Sequence, residues 1–111
     1  MGRIRTDIKI GDETYWTLFD SGARNTYIVE EVAAKLTTFD LPKPNPVSLG
    51  GKMHNVVKGC SLICKVEGYD MVTHARVLEE IGQDEEEKKK DNIKIDYDAL
   101  KLVSTLNNKN K

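Results

Sequence analysis

The strongest constraint on the fold of this chain is an apolar run that ends in an acidic residue. Residues 15–19, Tyr-Trp-Thr-Leu-Phe, are aromatic, aliphatic and threonine side chains that favour a strand, and Asp20-Ser21-Gly22-Ala23 follows directly. Small residues after the acid let the backbone turn sharply, and glycine relaxes its steric limits. The pattern predicts a carboxylate presented at the end of a rigid strand. Asp-Ser-Gly is also a common turn sequence, so a plain turn is the alternative.

Length and charge limit what kind of protein this is. The chain has 111 residues, which suits one domain with a single core, and its net charge of −1 gives no basic field for nucleic acid or an anionic membrane. No apolar run approaches the roughly 20 residues of a membrane span, and the N-terminus lacks the apolar core of a signal peptide. We therefore expect a soluble, cytoplasmic protein with peptide-like or small partners and no nucleic-acid or membrane partner. The domain is expected over residues 1–106, with a disordered polar tail over 107–111.

The first half of the chain predicts a β-hairpin, a short helix and an edge segment. Residues 4–10 alternate apolar and polar side chains, and residues 11–14 form a turn sequence, so this hairpin delivers Asp20 at the end of its second strand. Residues 30–36 place apolar side chains at helical spacing, with acids first. Three prolines at alternate positions within residues 39–46 exclude a central strand and predict an exposed connector or an edge.

The second half predicts three more elements after the prolines. Residues 47–57 indicate two short strands around a glycine-rich tip, and residues 62–78 indicate a further hairpin. Residues 85–90, three glutamates followed by three lysines, have i,i+4 pairs with the acid first, which predicts a solvated helix. Residues 92–103 predict a closing hairpin. The candidate interior residues of the 62–78 hairpin are Val72, Ala75, Val77 and Leu78.

The two cysteines and two histidines offer no metal site. Cys60 and Cys64 lie four residues apart in a strand-like segment, about 13 Å along a strand, which is too far for a disulfide or a shared ion. Neither His54 nor His74 has a partner at metal-ligand spacing. We expect buried thiols of a reducing compartment, no metal and no cofactor.

The acidic motif resembles the signature of the retropepsin family, the single-domain aspartic proteases of retroviral type. That signature is two apolar residues, Asp, Thr or Ser, Gly and Ala, then another apolar residue about five positions on; residues 18–23 and Ile28 fit it. The resemblance implies a mostly β, small closed barrel-like domain with one or two short helices. Peptide hydrolysis by carboxylates needs two of them, and the chain has one such motif, so the resemblance implies a two-fold homodimer with one catalytic Asp20 per subunit.

The resemblance also implies roles for the residues around the motif. Ser21 would hydrogen-bond across the two catalytic loops, Gly22 would offer its backbone to substrate, and Ala23 would wall the cleft. Val77 and Leu78 would be pocket walls, and the substrates would be extended peptides with apolar residues beside the cleaved bond. The glycine-rich tip would be the flap that closes over the peptide; its residues are Leu49, Gly50, Gly51, Lys52 and Met53.

One family segment is matched less closely. Retropepsin-like domains carry an apolar, apolar, Gly segment near the C-terminus that passes under the catalytic loop and leads into a helix, often with Asp two residues later. Ile81, Gly82 and Asp84 match this, but Glu80 replaces one apolar residue. Retroviral enzymes brace the loop with an acid after the Ala and an Arg after this Gly. Arg24 and Asp84 suggest the same pair with its charges exchanged.

Two alternatives stay open at the level of sequence. One is a retropepsin-like fold that does not cut and serves for dimerisation or peptide binding, which the departures at Glu80 and in the polar 85–90 segment favour. The other is an unrelated small β-rich domain in which Asp20 caps a turn.

Overall fold

The computed structural model describes residues 3–20, 23, 25–49, 51–66 and 68–96. The prediction of a mostly β fold is confirmed. The described elements, in chain order, are β1 (Arg3–Ile10), β2 (Glu13–Asp20), β3 (Thr26–Val29), α1 (Glu30–Ala33), β4 (Thr38–Leu49), β5 (Lys52–Val66), β6 (Tyr69–Leu78) and β7 (Ile93–Asp96).

The seven strands form one sheet in the order β1-β2-β7-β3-β6-β5-β4. Neighbours in sequence form the antiparallel pairs β1–β2, β4–β5 and β5–β6, whereas β2 pairs with β7 and β3 with β6 in parallel. The sheet curls back on itself, because β1 also pairs with β5 at Lys9 and Lys65. The strand that carries Asp20 therefore lies between β1, its hairpin partner, and β7, from the far end of the chain.

Two apolar clusters fill the interior. The larger one joins side chains of α1 and of every strand except β4, and the smaller one joins side chains of β3, β5 and β6 with those of β4 packed against them. In the smaller cluster Tyr27, Val56 and Leu78 are buried, and Val47 and Leu49 pack against them. The main members of the larger cluster are Ile8, Phe19, Ile28, Val29, Val32, Ala33, Cys60, Leu62, Cys64, Val66, Ala75, Ile93 and Ile95.

Local sequence signals placed several elements correctly. The first hairpin is present, with Gly11 at a φ of 62° in its two-residue turn, a conformation that glycine adopts without strain. The proline-containing segment lies in β4, the last strand of the sheet order, and its pairing shifts register between Asp40 and Asn45. Edge strands tolerate prolines because one side of the strand needs no ladder hydrogen bonds. The two strands around the glycine-rich tip are 12 and 15 residues long, not short.

The predicted helix over residues 85–90 is wrong. Residues 85–87 form a turn, in which the Lys88 N–H donates to the Asp84 carbonyl at 2.7 Å and the Asp84 N–H donates to the Lys89 carbonyl at 2.8 Å. Lys88 has a φ of 60° and leaves helical geometry. A six-residue segment without an apolar face forms too few helical bonds to offset its ordering entropy.

Other sequence predictions need smaller corrections. The helix over residues 30–36 is shorter, since α1 ends at Ala33 and a turn follows it. Val72 was expected inside but is 72% exposed, whereas Ala75 and Leu78 are buried. Val72 shares a strand face with Leu78, which packs in the smaller cluster, but Val72 itself belongs to neither cluster.

The end of the chain is described only as far as β7. Of the predicted closing hairpin, residues 93–96 form β7 between β2 and β3, and its other residues and the tail lie outside the described part. Within the described ranges, no helix is long and apolar enough to cross a membrane.

Candidate functional site

Asp20 is the last residue of β2 and is only 5% exposed. Its register partners are Arg3 on β1 and Asp96 on β7, so it lies inside the sheet rather than at a sheet edge. The chain then turns at once, because the Ala23 N–H donates to the Asp20 carbonyl at 3.1 Å, and Ala23 is itself buried. The other predicted loop residues, Ser21, Gly22 and Arg24, lie outside the described residues.

Two basic side chains flank the Asp20 carboxylate. Arg3 Nε lies 3.3 Å and Lys94 Nζ 3.7 Å from Asp20 Oδ2. The Arg3 side chain is 67% exposed, whereas that of Lys94 is 16% exposed. Water and salt screen an exposed pair, so the contact with Arg3 is screened more than the contact with Lys94. The site is thus a buried carboxylate with a nearly buried ammonium group beside it.

The strand beside the Asp20 strand is β7, and residues 81–84, predicted to pass under the catalytic loop, lie in the connection between β6 and β7. Thr17 to Asp20 pair with Ile93 to Asp96 in parallel. Gly82 instead lies next to Asp91, whose N–H donates to the Gly82 carbonyl at 2.8 Å. Asp84 lies in the turn of the charged segment, where its Oδ1 accepts a hydrogen bond from the Glu86 N–H at 3.0 Å.

A second ion pair fastens the segment between β6 and β7 to β1. Arg5 Nε and Nη2 donate to Asp91 Oδ1 and Oδ2 at 3.0 and 3.1 Å, and Nη2 also approaches the Gln83 carbonyl at 3.3 Å. The Asp91 side chain is fully buried, and that of Arg5 is 24% exposed. The hydrogen bond to Asp91 is the main cause that raises the pKa of the Arg5 guanidinium. This two-point contact braces the connection that delivers β7 to Asp20.

The predicted flap is the tip of the β4–β5 hairpin. Leu49 and Lys52 are register partners across the tip, and Gly51 has a φ of 81°, where an L side chain would be strained. Leu49 packs against the smaller apolar cluster, while Met53 is exposed. Gly50 lies outside the described residues.

An open cleft of about 600 Å³ brings together three of the predicted binding residues, Met53, Val77 and Leu78. The cleft lies between α1 and the first half of β5. Because α1 follows the far end of β3, the cleft is at the opposite end of β3 from Asp20, and Asp20 is not among its lining residues. The other lining residues are Glu30, Ala33, Ala34, Thr38, His54, Asn55, Val57, Lys58 and Glu79. Ile81 and Gly82 line a different, smaller cleft.

Sequence reasoning missed the charged partners of the site. Lys94 lies between two buried isoleucines, and strand alternation alone would point its side chain at solvent. Arg3, Arg5 and Asp91 carry no motif. Only the pairing of β1 and β7 with β2 places Arg3 and Lys94 beside Asp20, whereas Arg5 and Asp91 pair with each other.

Metal binding is not supported by the described residues, which contain no group of three His, Cys, Asp or Glu side chains able to hold an ion. Comparisons of the chain with protein-family models, with curated proteins and with solved structures found no match. Inference about function therefore rests on Asp20 and its surroundings.

Proposed function

We propose that this protein is an aspartic endopeptidase of the retropepsin type, active as a two-fold homodimer to which each subunit contributes Asp20. The observation that carries the proposal is the placement of Asp20: a buried carboxylate at the end of an interior strand, followed at once by a tight turn into Ala23. A carboxylate on a rigid strand holds its position, which general acid–base catalysis requires.

The topology around Asp20 supports the proposal. In this interpretation β7, which pairs with the Asp20 strand, takes the part of the family's C-terminal segment. Ile95 provides an apolar position, Asp96 replaces the glycine, and Asp98 follows two residues later. The alignment departs from the family at two positions, since Asp96 stands where glycine is expected and Lys94 where a second apolar residue is expected.

The proposed reaction needs two carboxylates at contact distance. Two such groups cannot both ionise, so the Asp20 pair would share one proton. The ionised Asp20 takes a proton from water as that water attacks the peptide carbonyl, and the protonated one donates a hydrogen bond to the carbonyl oxygen. When the tetrahedral intermediate collapses, the C–N bond breaks and a proton passes to the leaving amine.

Substrate binding is assigned to the flap and the apolar walls. The tip at Leu49, Gly51, Lys52 and Met53 would hold an extended peptide by backbone hydrogen bonds and exclude water from the Asp20 pair. Val77 and Leu78 line the cleft at the opposite end of β3 from Asp20, so within one subunit they would contact parts of the peptide away from the cleaved bond. We expect apolar residues beside the cleaved bond.

A non-catalytic retropepsin-like module is the second candidate, and one observation favours it. Arg3 and Lys94 both contact the carboxylate of Asp20 within 4 Å. A cation that close favours the ionised form, whereas the proposed reaction needs one shared proton. If Asp20 stays ionised for this reason, the domain would bind a second copy or a peptide without cleaving it.

Cleavage of a degenerate peptide pool tests the proposal. The assay compares the wild type with Asp20→Asn at several protein concentrations and from mildly acidic to neutral pH. Asp7→Asn, at an exposed position on β1, is the matched control. We expect the wild type and the control to cleave, the Asp20 variant to be inactive, and activity to rise faster than linearly with concentration because the site forms on dimerisation.

Other outcomes separate the candidates. Cleavage that survives Asp20→Asn would refute the protease assignment to this residue. A stable dimer by sedimentation without cleavage by the wild type would favour the non-catalytic module. A monomer without cleavage at any concentration would refute both.

A further inference from the structure

Lys94 is an unusual residue for the interior of a sheet. It lies on β7 between the buried residues Ile93 and Ile95, and its own side chain is only 16% exposed. Lysine is almost never buried unless its charge has a partner. Its Nζ lies 3.7 Å from Asp20 Oδ2, so the candidate catalytic carboxylate is that partner.

The register of β2 and β7 brings Lys94 and Asp20 together within one subunit. Leu18 pairs with Lys94 and Asp20 pairs with Asp96, so Lys94 is the diagonal neighbour of Asp20 across two parallel strands. Residues two apart on a strand project from the same face. The pair therefore depends on the burial of whole strands, unlike a surface ion pair between two mobile side chains.

We propose that Lys94 is a positioning residue that holds the Asp20 carboxylate ionised and so sets the upper pH limit for the proton shared by the Asp20 pair. The part that concerns cleavage rests on the proposed function; the part that concerns the charge of Asp20 does not. By register, the charged residues nearest to Asp20 on the neighbouring strands are Arg3, directly opposite on β1, and Lys94 and Asp96 on β7; Tyr27 on β3 is the titratable register partner of Lys94. Arg24, four positions after Asp20 in the sequence, lies outside the described residues.

The sign of the effect follows from the charges. A cation stabilises the ionised carboxyl, so with Lys94 present Asp20 takes up a proton only at lower pH, and without it protonation begins at higher pH. An opposite charge at this distance shifts a carboxyl by about 1 to 3 pH units. Arg3 stays in place when Lys94 is removed, so we expect the low end of that range. The wild type should thus cleave at acidic pH, and loss of the ammonium group should extend cleavage toward neutral pH.

The experiment compares the wild type with three variants. Lys94→Met keeps an unbranched side chain without the charge, and Lys94→Arg keeps the charge. Lys9→Met is a matched control at an exposed position on β1. Carbon-13 NMR of aspartate side-chain carboxyls follows the protonation of Asp20, whose signal is identified by its loss in Asp20→Asn. Peptide cleavage is measured over the same pH series.

We expect the midpoint of the Asp20 signal to rise by about one pH unit in Lys94→Met, a tenfold change in proton affinity, and to stay within a few tenths of a unit in the arginine and control variants. The upper limb of the cleavage profile should move with it. An equal midpoint in the wild type and Lys94→Met would overturn the inference, whatever happens to cleavage. A shifted midpoint with no cleavage by any variant would support it and overturn the protease assignment. If the methionine variant does not fold, Lys94→Gln is measured in its place by the same criteria.

Discussion

Removing Arg5 from its ion pair with Asp91 should destabilise the part of the fold that brings β7 to Asp20. The two residues are 86 positions apart and make two hydrogen bonds, at 3.0 and 3.1 Å. Arg5→Met keeps the apolar stem of the side chain and removes the charge. It leaves the Asp91 carboxylate without this partner in a fully buried position.

The expected cost follows from that burial. Breaking a buried ion pair by removing one partner costs about 3–5 kcal/mol, because the other charge is left desolvated. The Arg5 side chain is 24% exposed, so water can partly replace it and the low end applies. We expect a loss of about 3 kcal/mol in the free energy of unfolding. Adding Asp91→Asn should restore part of the loss, since no buried charge remains.

Urea unfolding followed by circular dichroism measures these free energies, with Lys65→Met as the matched control. The Lys65–Asp70 pair joins β5 and β6 at 3.5 Å, and both of its side chains are exposed, so its loss should cost less than about 1 kcal/mol. An Arg5→Met loss no larger than that of the control would refute the reasoning. So would a double variant that is as unstable as the sum of its two single variants.

Two further predictions concern β5. Burial, with a smaller contribution from Asp70, raises the pKa of the Cys64 thiol to about 11. Alkylation of Cys64 at pH 8 should therefore be about 100-fold slower than alkylation of free cysteine. In urea, where the protein is unfolded, the rate should be that of free cysteine. The folded state holds the thiol proton more tightly than the unfolded state, so the free energy of unfolding should fall above about pH 9. Rapid alkylation of Cys64 in the folded protein would contradict the raised pKa. A Cβ at Gly59 would lie 2.5 Å from the Phe39 ring, so Gly59→Ala should cost about 1–2 kcal/mol in urea unfolding, and less once Phe39 is alanine. Equal costs in the two backgrounds would show that the ring is not the obstacle.

Local signals were sufficient for several elements because their causes are local. The alternation of residues 4–10 and the freedom of Gly11 at positive φ specify the first hairpin. Prolines without N–H donors confined residues 39–46 to an edge whatever lies beside them. The abrupt end of the apolar run at Asp20 likewise marked the candidate carboxylate.

Where the sequence prediction failed, distant contacts decided the outcome. The charged run at residues 85–90 has favourable i,i+4 pairs, each worth only a few tenths of a kcal/mol, and a turn forms instead. Nearby, the buried Asp91 holds the same connection against Arg5 on β1. Val72 has an apolar side chain but is exposed, because the smaller cluster covers the face of β6 that it shares with Leu78 only at the Leu78 end.

The sequence by itself determined a mostly β chain with one candidate carboxylate, Asp20, at the end of its second strand. Only the tertiary structure decided what surrounds that carboxylate. Lys94 is 74 positions away and reaches it through the parallel register of β2 and β7, a register set by the burial of whole strand faces. A local pattern specifies which face of a strand a lysine is on, but the strand packed beside it determines whether that lysine meets water or a buried acid.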